Sequence, residues 1–380
     1  MTRMLYLVIV VAFLDTFIQL PIITPYSQEL GASYALTGAI VAVYSLTNMI
    51  GNILGGHWID KFGRKKMLLT GMLLVSGILF LYPLAQTGWQ LFIARFFHGL
   101  AGGVLIPAAF AYVGDNSKIE SRGKTMAYTG AGIGIAAIAG PAIGGAMAAR
   151  SSITNVFILV AVLFLITALL ITIFIKESYV TTERGKFNFN DFLPLLKHPL
   201  LIQASLAAFA LMISNGTLAF ALPINVELMG RTTETTGMLL STFGIVALLV
   251  FLTPMNRIFD QVDDIKLVLS GLLLIGISLI SLSFIITLPL SFLAMIIYGL
   301  GFALIFPSMN KIVADASADV DRGKAYGIFY AFFSLGVVAG STISGWVAEN
   351  LGLPFLVSAI LMISIAVFIG FIAKNNNQLE

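Results

Sequence analysis

Apolar residues in this chain run in long, continuous stretches instead of alternating with polar ones. Twelve such stretches can be marked, at about 4–25, 36–59, 67–86, 89–114, 125–148, 153–175, 200–227, 236–256, 267–286, 290–313, 325–347 and 353–373. Each has the length of about 20 residues that an α-helix needs to cross the hydrocarbon of a bilayer. Continuous runs also argue against a membrane β-barrel, whose strands alternate. The connections are short except for residues 176–199, KESYVTTERGKFNFNDFLPLLKHP, which are polar. The pattern therefore predicts an all-α membrane protein of 12 transmembrane helices as two pseudo-symmetric six-helix bundles. These are an N-terminal half over 1–175, a cytoplasmic linker over 176–199 and a C-terminal half over 200–380. The first run, behind Arg3, is too long for a secretory leader and has no small-residue cleavage site, so it reads as an uncleaved first helix.

Composition agrees. Of 380 residues, 58% are hydrophobic and only 10% are charged, against roughly a quarter charged in soluble domains. A soluble enzyme, a disordered chain and a collagen-like fibre are excluded. Without cysteine there is no disulfide framework, thiolate metal site or thiol nucleophile. The net charge of +3 is too small to suggest nucleic-acid binding. Its distribution is more informative. Eighteen of the 21 Lys and Arg residues fall on one side if the N-terminus is cytoplasmic, leaving Arg150 and Arg231 outside and Arg95 inside a span. By the positive-inside rule, this predicts a multi-pass protein of the cell membrane with both termini cytoplasmic.

The halves match at an offset of 200 residues. His98-Gly99-Leu100 meets Tyr298-Gly299-Leu300, Pro107 meets Pro307, and Asp115 meets Asp315. Arg122-Gly123-Lys124 meets Arg322-Gly323-Lys324, Gly140 meets Gly340, Gly145 meets Gly345, Asp60 meets Asp260, and Asp15 meets Asn215. Parallel six-helix repeats are a transporter architecture, with the substrate site near the midplane between them.

The loop after the second run reads Gly56-His57-Trp58-Ile59-Asp60-Lys61-Phe62-Gly63-Arg64-Lys65-Lys66. Gly56 permits close helix approach. Asp60 is suited to accept from a helix N-terminus or to pair with a basic group, a contact able to latch one conformation. The fifth run holds Gly140-Pro141-x-x-Gly144-Gly145 within a small-residue face that favours tight packing and bending.

These residues resemble the major facilitator superfamily over nearly the whole chain, and within it the 12-helix drug:proton antiporters of multidrug and metabolite efflux. Gly56, Asp60, Lys61, Gly63, Arg64, Lys65 and Lys66 resemble its motif A. Leu91-x-x-x-Arg95-x-x-His98-Gly99 resembles motif B, with His98 where Gln is common. Gly140, Pro141, Gly144 and Gly145 resemble the antiporter motif C, with Ala136 where the fuller motif has glycine. The resemblance implies an exporter coupled to protons.

Asp15 and Arg95 stand inside apolar spans, and Asp15 is the only carboxylate near the middle of one. Embedded charges are costly and mark ion or substrate pathways. A desolvated carboxyl holds its proton more tightly, and a neighbouring guanidinium loosens it, so Asp15 is the expected proton site with Arg95 as its modulator. A static Asp15–Arg95 ion pair, or Asp15 bonded to Thr16 and Gln19 for packing, is the plain alternative. His98, one turn from Arg95, suits either a proton relay or a neutral hydrogen-bonding role.

The expected substrate cavity draws on Gln19, Tyr44, Asn48, Asn52, Tyr128, Asn215, Phe243, Tyr298, Phe302, Asn310, Tyr330 and Phe333. An aromatic and amide lining fits a small amphipathic organic substrate. No catalytic set, metal-ligand cluster or nucleotide-binding loop is evident, so no cofactor is expected beyond the proton gradient, and the chain is expected to act as a monomer. The other functions to be weighed are a proton symporter or uniporter for nutrient uptake, and a non-transporting membrane receptor or scaffold.

Overall fold

In a computed structural model, residues 2–115, 122–177, 193–284, 287–317 and 322–376 are described. They are almost entirely helical. Two short helices, α1 (Thr2–Ile18) and α2 (Ile23–Glu29), are followed by α3 (Tyr34–Phe62), α4 (Arg64–Leu81), α5 (Gly88–Asp115), α6 (Arg122–Arg150) and α7 (Ile153–Phe174). After the linker come α8 (Pro199–Leu228), α9 (Thr233–Leu252), the short α10 (Ile258–Gln261), α11 (Asp264–Phe284), α12 (Leu288–Asp315), α13 (Arg322–Asn350) and α14 (Pro354–Asn376). Among the described residues, eleven helices are long and apolar enough to span a membrane, or twelve if the bent α1–α2 pair is one span.

The first expected span is thus broken. Its two parts meet at 50°. Pro21 has no N–H to continue the helical ladder, and the Gln19 carbonyl takes the amides of both Ile22 and Ile23 at 3.1 and 2.9 Å. Elsewhere the ends follow ordinary chemistry. Ser33 caps α3 by accepting from the Leu36 amide, and Ser152 caps α7 by accepting from Asn155.

Contacts group the chain into two compact units, residues 1–184 with 226–241, and residues 185–225 with 242–380. Within a bilayer, water does not drive helices together, so small residues that let backbones approach do much of the packing. In the first unit a Cβ placed on Gly99 of α5 would fall on the Thr47 hydroxyl and the Tyr44 carbonyl of α3. One on Gly103 would meet the Asn48 carbonyl. In the second unit Gly299 of α12 packs in the same way on Phe243 and Val246 of α9.

The repeat also appears in the contacts of α4 and α11. Gly71 lies against Leu105 and the Ala101 carbonyl of α5, and Gly271 lies against Ile305 and the Gly301 carbonyl of α12. These contacts correspond at an offset of 200 residues, so the sequence repeat is also a packing repeat.

Candidate functional site

The first unit encloses a polar cluster among apolar helices. Asp15 of α1 is 2% exposed, Arg95 of α5 is 6% exposed, and His98 is fully buried. Their spacing on α5 puts Arg95 and His98 one turn apart on the same face, toward α1. His98 Nε2 lies 2.9 Å from Asp15 Oδ2. The other carboxylate oxygen, Oδ1, accepts from Gln19 Nε2 at 2.6 Å.

Asp15 and Arg95 are joined through that same amide, because Arg95 NH1 donates to Gln19 Oε1 at 2.8 Å. Arg95 Nε also reaches the Ile40 carbonyl of α3 at 3.4 Å, and its guanidinium lies over the Tyr44 ring, 4.4 Å from the centroid. Gln19 occupies the break between α1 and α2, where its backbone carbonyl closes the turn and its side chain bridges the two charges.

Tyr82, in the 3-10 turn Tyr82–Leu84 that ends α4, completes the cluster. Its hydroxyl lies 2.7 Å from His98 Nδ1, and Tyr26 of α2 holds the Tyr82 carbonyl at 2.6 Å. Tyr44 and Tyr82 both present edges to the His98 ring, at centroid separations of 5.0 and 5.6 Å. The sequence pointed to Asp15, Arg95, His98, Gln19 and Tyr44, but not to Tyr82. Its only signal was a Tyr-Pro pair where an apolar run ends.

The other expected residues are dispersed. Asn52 donates to Asn48 at 2.9 Å along one face of α3. At the end of that helix Gly63 adopts a φ of 96°, open to glycine, and lets α4 start at once. The amides of Lys65 and Lys66 point at the Glu177 carboxylate, at 3.2 and 3.4 Å, so that an acid after α7 caps the N-terminus of α4. Lys65 Nζ donates to the Thr172 carbonyl at 3.0 Å, Arg64 NH1 reaches the Ile59 carbonyl, and Lys61 lies over the Phe62 ring. Glu177 was not singled out from sequence, because nothing local reveals a partner more than a hundred residues away. Gly56, Asp60 and Tyr128 stand within helices, but their side chains lie outside the described residues.

On α6, Gly140 and Gly144 face Phe17 and Ile18 of α1, while Pro141 and Gly145 interlock with Gly237 and Thr233 of α9. Thr233 Oγ1 donates to the Gly145 carbonyl and Ser241 Oγ to the Ile138 carbonyl, at 3.0 and 2.7 Å. Ala136 is buried.

In the second unit Tyr298 is fully buried, its hydroxyl 2.8 Å from Ser214 Oγ and its ring edge-on to Phe243. Asn215 follows Ser214 on α8 and is partly buried. Phe302 packs on Phe243 and stacks on Phe306. Asn310 donates to the Phe306 carbonyl. On α13, Phe333 lies against Phe329 and Tyr330, and Tyr330 is 50% exposed.

Comparisons with known proteins agree with this architecture. Residues 5–213 and 204–378 each match the profile of the Major Facilitator Superfamily. The chain is 27% identical over 372 residues to Multidrug resistance protein 1 of Bacillus subtilis, covering 95% of this chain and 93% of that one. It is 26% identical over 382 residues to Multidrug resistance protein MdtG of Escherichia coli, with coverage of 95% and 93%.

Among solved structures, a bacterial homologue of the human lysosomal transporter Spinster, inward-facing and occupied, superposes with a TM-score of 0.81 at 14% identity. It covers 98% of this chain and 96% of that one. The human organic anion transporter MFSD10 gives 0.71 at 16% identity, covering 97% and 98%. Matched by its family profile from end to end and sharing the fold of solved transporters, the chain belongs to the major facilitator superfamily and is a multi-pass membrane transporter.

Proposed function

We propose that this transporter exports a small amphipathic organic solute in exchange for protons by alternating access, with Asp15 as the proton site and both termini cytoplasmic. The observation that carries the reading is a carboxylate buried to 2% exposure in the first span, touching a histidine and joined to an arginine through one amide. A carboxylate inside hydrocarbon is costly to keep. Its value lies in being neutral in one conformation and ionised in another, and the surrounding donors set that balance.

Export is favoured by Gly140, Pro141, Gly144 and Gly145, which match the antiporter motif, and by relatives named for multidrug resistance. Asp60 and the basic residues around Gly63 serve as the conformational latch, and the transporter works as a monomer. Uptake by symport is the competing direction.

Everted membrane vesicles carrying the protein, energised with an imposed proton gradient, provide the test. The probes are ethidium and a panel of amphipathic cations, zwitterions and anions. Wild type accumulates at least one probe uphill and dissipates the gradient as it does so, whereas Asp15→Asn does neither. Uphill pumping by Asp15→Asn would overturn the assignment, and uphill probe movement in the same direction as the protons would establish symport instead.

A further inference from the structure

The hydrogen bonds around Asp15 have a fixed polarity. Arg95 has only donors, so Gln19 must turn its carbonyl oxygen to Arg95 NH1 and its amide nitrogen to Asp15 Oδ1. Oδ1 is therefore an acceptor. On the other side, His98 Nε2 faces Oδ2. With the carboxylate ionised, Nε2 carries the imidazole hydrogen, Nδ1 is left as an acceptor, and the Tyr82 hydroxyl donates to it.

Two bonds thus reach Asp15, one from Gln19, oriented by Arg95, and one from His98, oriented by Tyr82. Their polarities fit one another when His98 is neutral and Asp15 anionic.

A proton taken between Asp15 Oδ2 and His98 reverses this order. It needs His98 Nε2 as an acceptor, so the imidazole hydrogen must move to Nδ1, and the Tyr82 hydroxyl must stop donating there and accept instead.

Among the described residues, the titratable groups facing Asp15 are Arg95 and His98 from α5, Tyr44 from α3 and Tyr82 after α4. The described part of α6 meets α1 through glycines.

We infer that Tyr82 is a positioning residue that fixes His98 as the Nε2–H tautomer, so that His98 donates to the ionised Asp15 and a proton taken on the Oδ2 side facing His98 displaces this bond between the first span and α5. The inference rests on the reading of Asp15 as the proton site.

Two measurements on the full-length protein in lipid nanodiscs test it without any substrate. In the first, 15N-histidine NMR distinguishes the tautomers of His98 from His57 and His198 with the aid of His98→Gln. The expected spectrum has Nε2 protonated and Nδ1 bare at neutral pH, and the reverse tautomer overturns the inference in wild-type protein, where folding is not in question.

In the second, infrared difference spectra follow the protonated-carboxyl band that Asp15→Asn removes. Tyr82→Phe frees His98 to switch tautomer, so its band midpoint moves up by about one pH unit, a roughly tenfold gain in proton affinity for one hydrogen bond no longer lost. Tyr112→Phe, a change at a buried tyrosine of the same unit whose hydroxyl donates to the Lys176 carbonyl, leaves the midpoint in place. A midpoint that does not respond to Tyr82→Phe, or that moves equally in Tyr112→Phe, overturns the role of Tyr82 alone. A spectrum in which Asp15→Asn removes no band overturns the proton-site reading and this inference together.

Discussion

Replacing Gln19 with leucine tests whether the two buried charges are joined through an amide. Leucine nearly fills the space but neither donates nor accepts, so the change removes the 2.8 Å bond from Arg95 and the 2.6 Å bond to Asp15 in one step. In soluble proteins a hydrogen bond to a charged group is worth about 1.5–3 kcal/mol. Inside membranes, measured side-chain bonds average about 0.6 and reach about 1.7 kcal/mol, because the unfolded chain in lipid also finds partners.

Two such bonds give a loss of about 1–3 kcal/mol, and the upper part of that range applies because Arg95 and Asp15 are each left short of a partner. The assay is reversible unfolding of the purified protein in mixed micelles, run as a cycle with Arg95→Met and the double variant. The cycle should return a coupling of about 1 kcal/mol, since the two side chains share one network. A loss below about 0.5 kcal/mol for Gln19→Leu, with no coupling to Arg95, would refute the bridge.

Three further outcomes follow from particular contacts. Gly63→Ala forces a Cβ into a backbone with φ of 96° and against the Glu177 carboxylate, and it should cost about 1–2 kcal/mol in the same unfolding assay. Glu177→Gln keeps the shape of the cap on α4 but removes its charge. The expected loss is about 0.3–1 kcal/mol at low salt, shrinking as salt screens the wild-type interaction. Asn215→Asp should not restore proton-driven transport to Asp15→Asn in vesicles, because the 200-residue register sets Met295 where Arg95 stands and Tyr298 where His98 stands.

Much of this was legible in the sequence because a membrane span announces itself by length and continuous apolarity. The exception shows the limit of that signal. Residues 4–25 read as one span, yet Pro21 splits it, and hydropathy does not register a missing N–H. The charged members of the cluster stood out because charge is rare here. Their arrangement did not, since a direct Asp15–Arg95 pair and an Asp15–Gln19 bond fit the same residues. In the structure Gln19 serves both charges, and an amide can do so because one end donates and the other accepts. Tyr82 and Glu177 act through contacts far apart in sequence, and no local pattern carries that information.

The two halves repeat their packing but not their charge, and this bears on how one scaffold houses a buried carboxylate. Gly71 and Gly271 make equivalent contacts with α5 and α12, so the backbone frame is duplicated. At the cluster, the 200-residue register sets Asp15 against Asn215, Gln19 against Ala219, Tyr82 against Leu282, Arg95 against Met295 and His98 against Tyr298. Each ionisable member has a neutral counterpart. One bond persists in outline: Tyr298 holds Ser214 where His98 holds Asp15.

Neutral pairing gives the second half the same link between its first and fourth spans, without the desolvation cost that an embedded charge carries. That link runs between neutral hydroxyls. The link in the first half runs from an imidazole to a carboxylate, so on the proposed reading of Asp15 it is the one that a proton would displace. Two similar bundles therefore hold their spans together by different means.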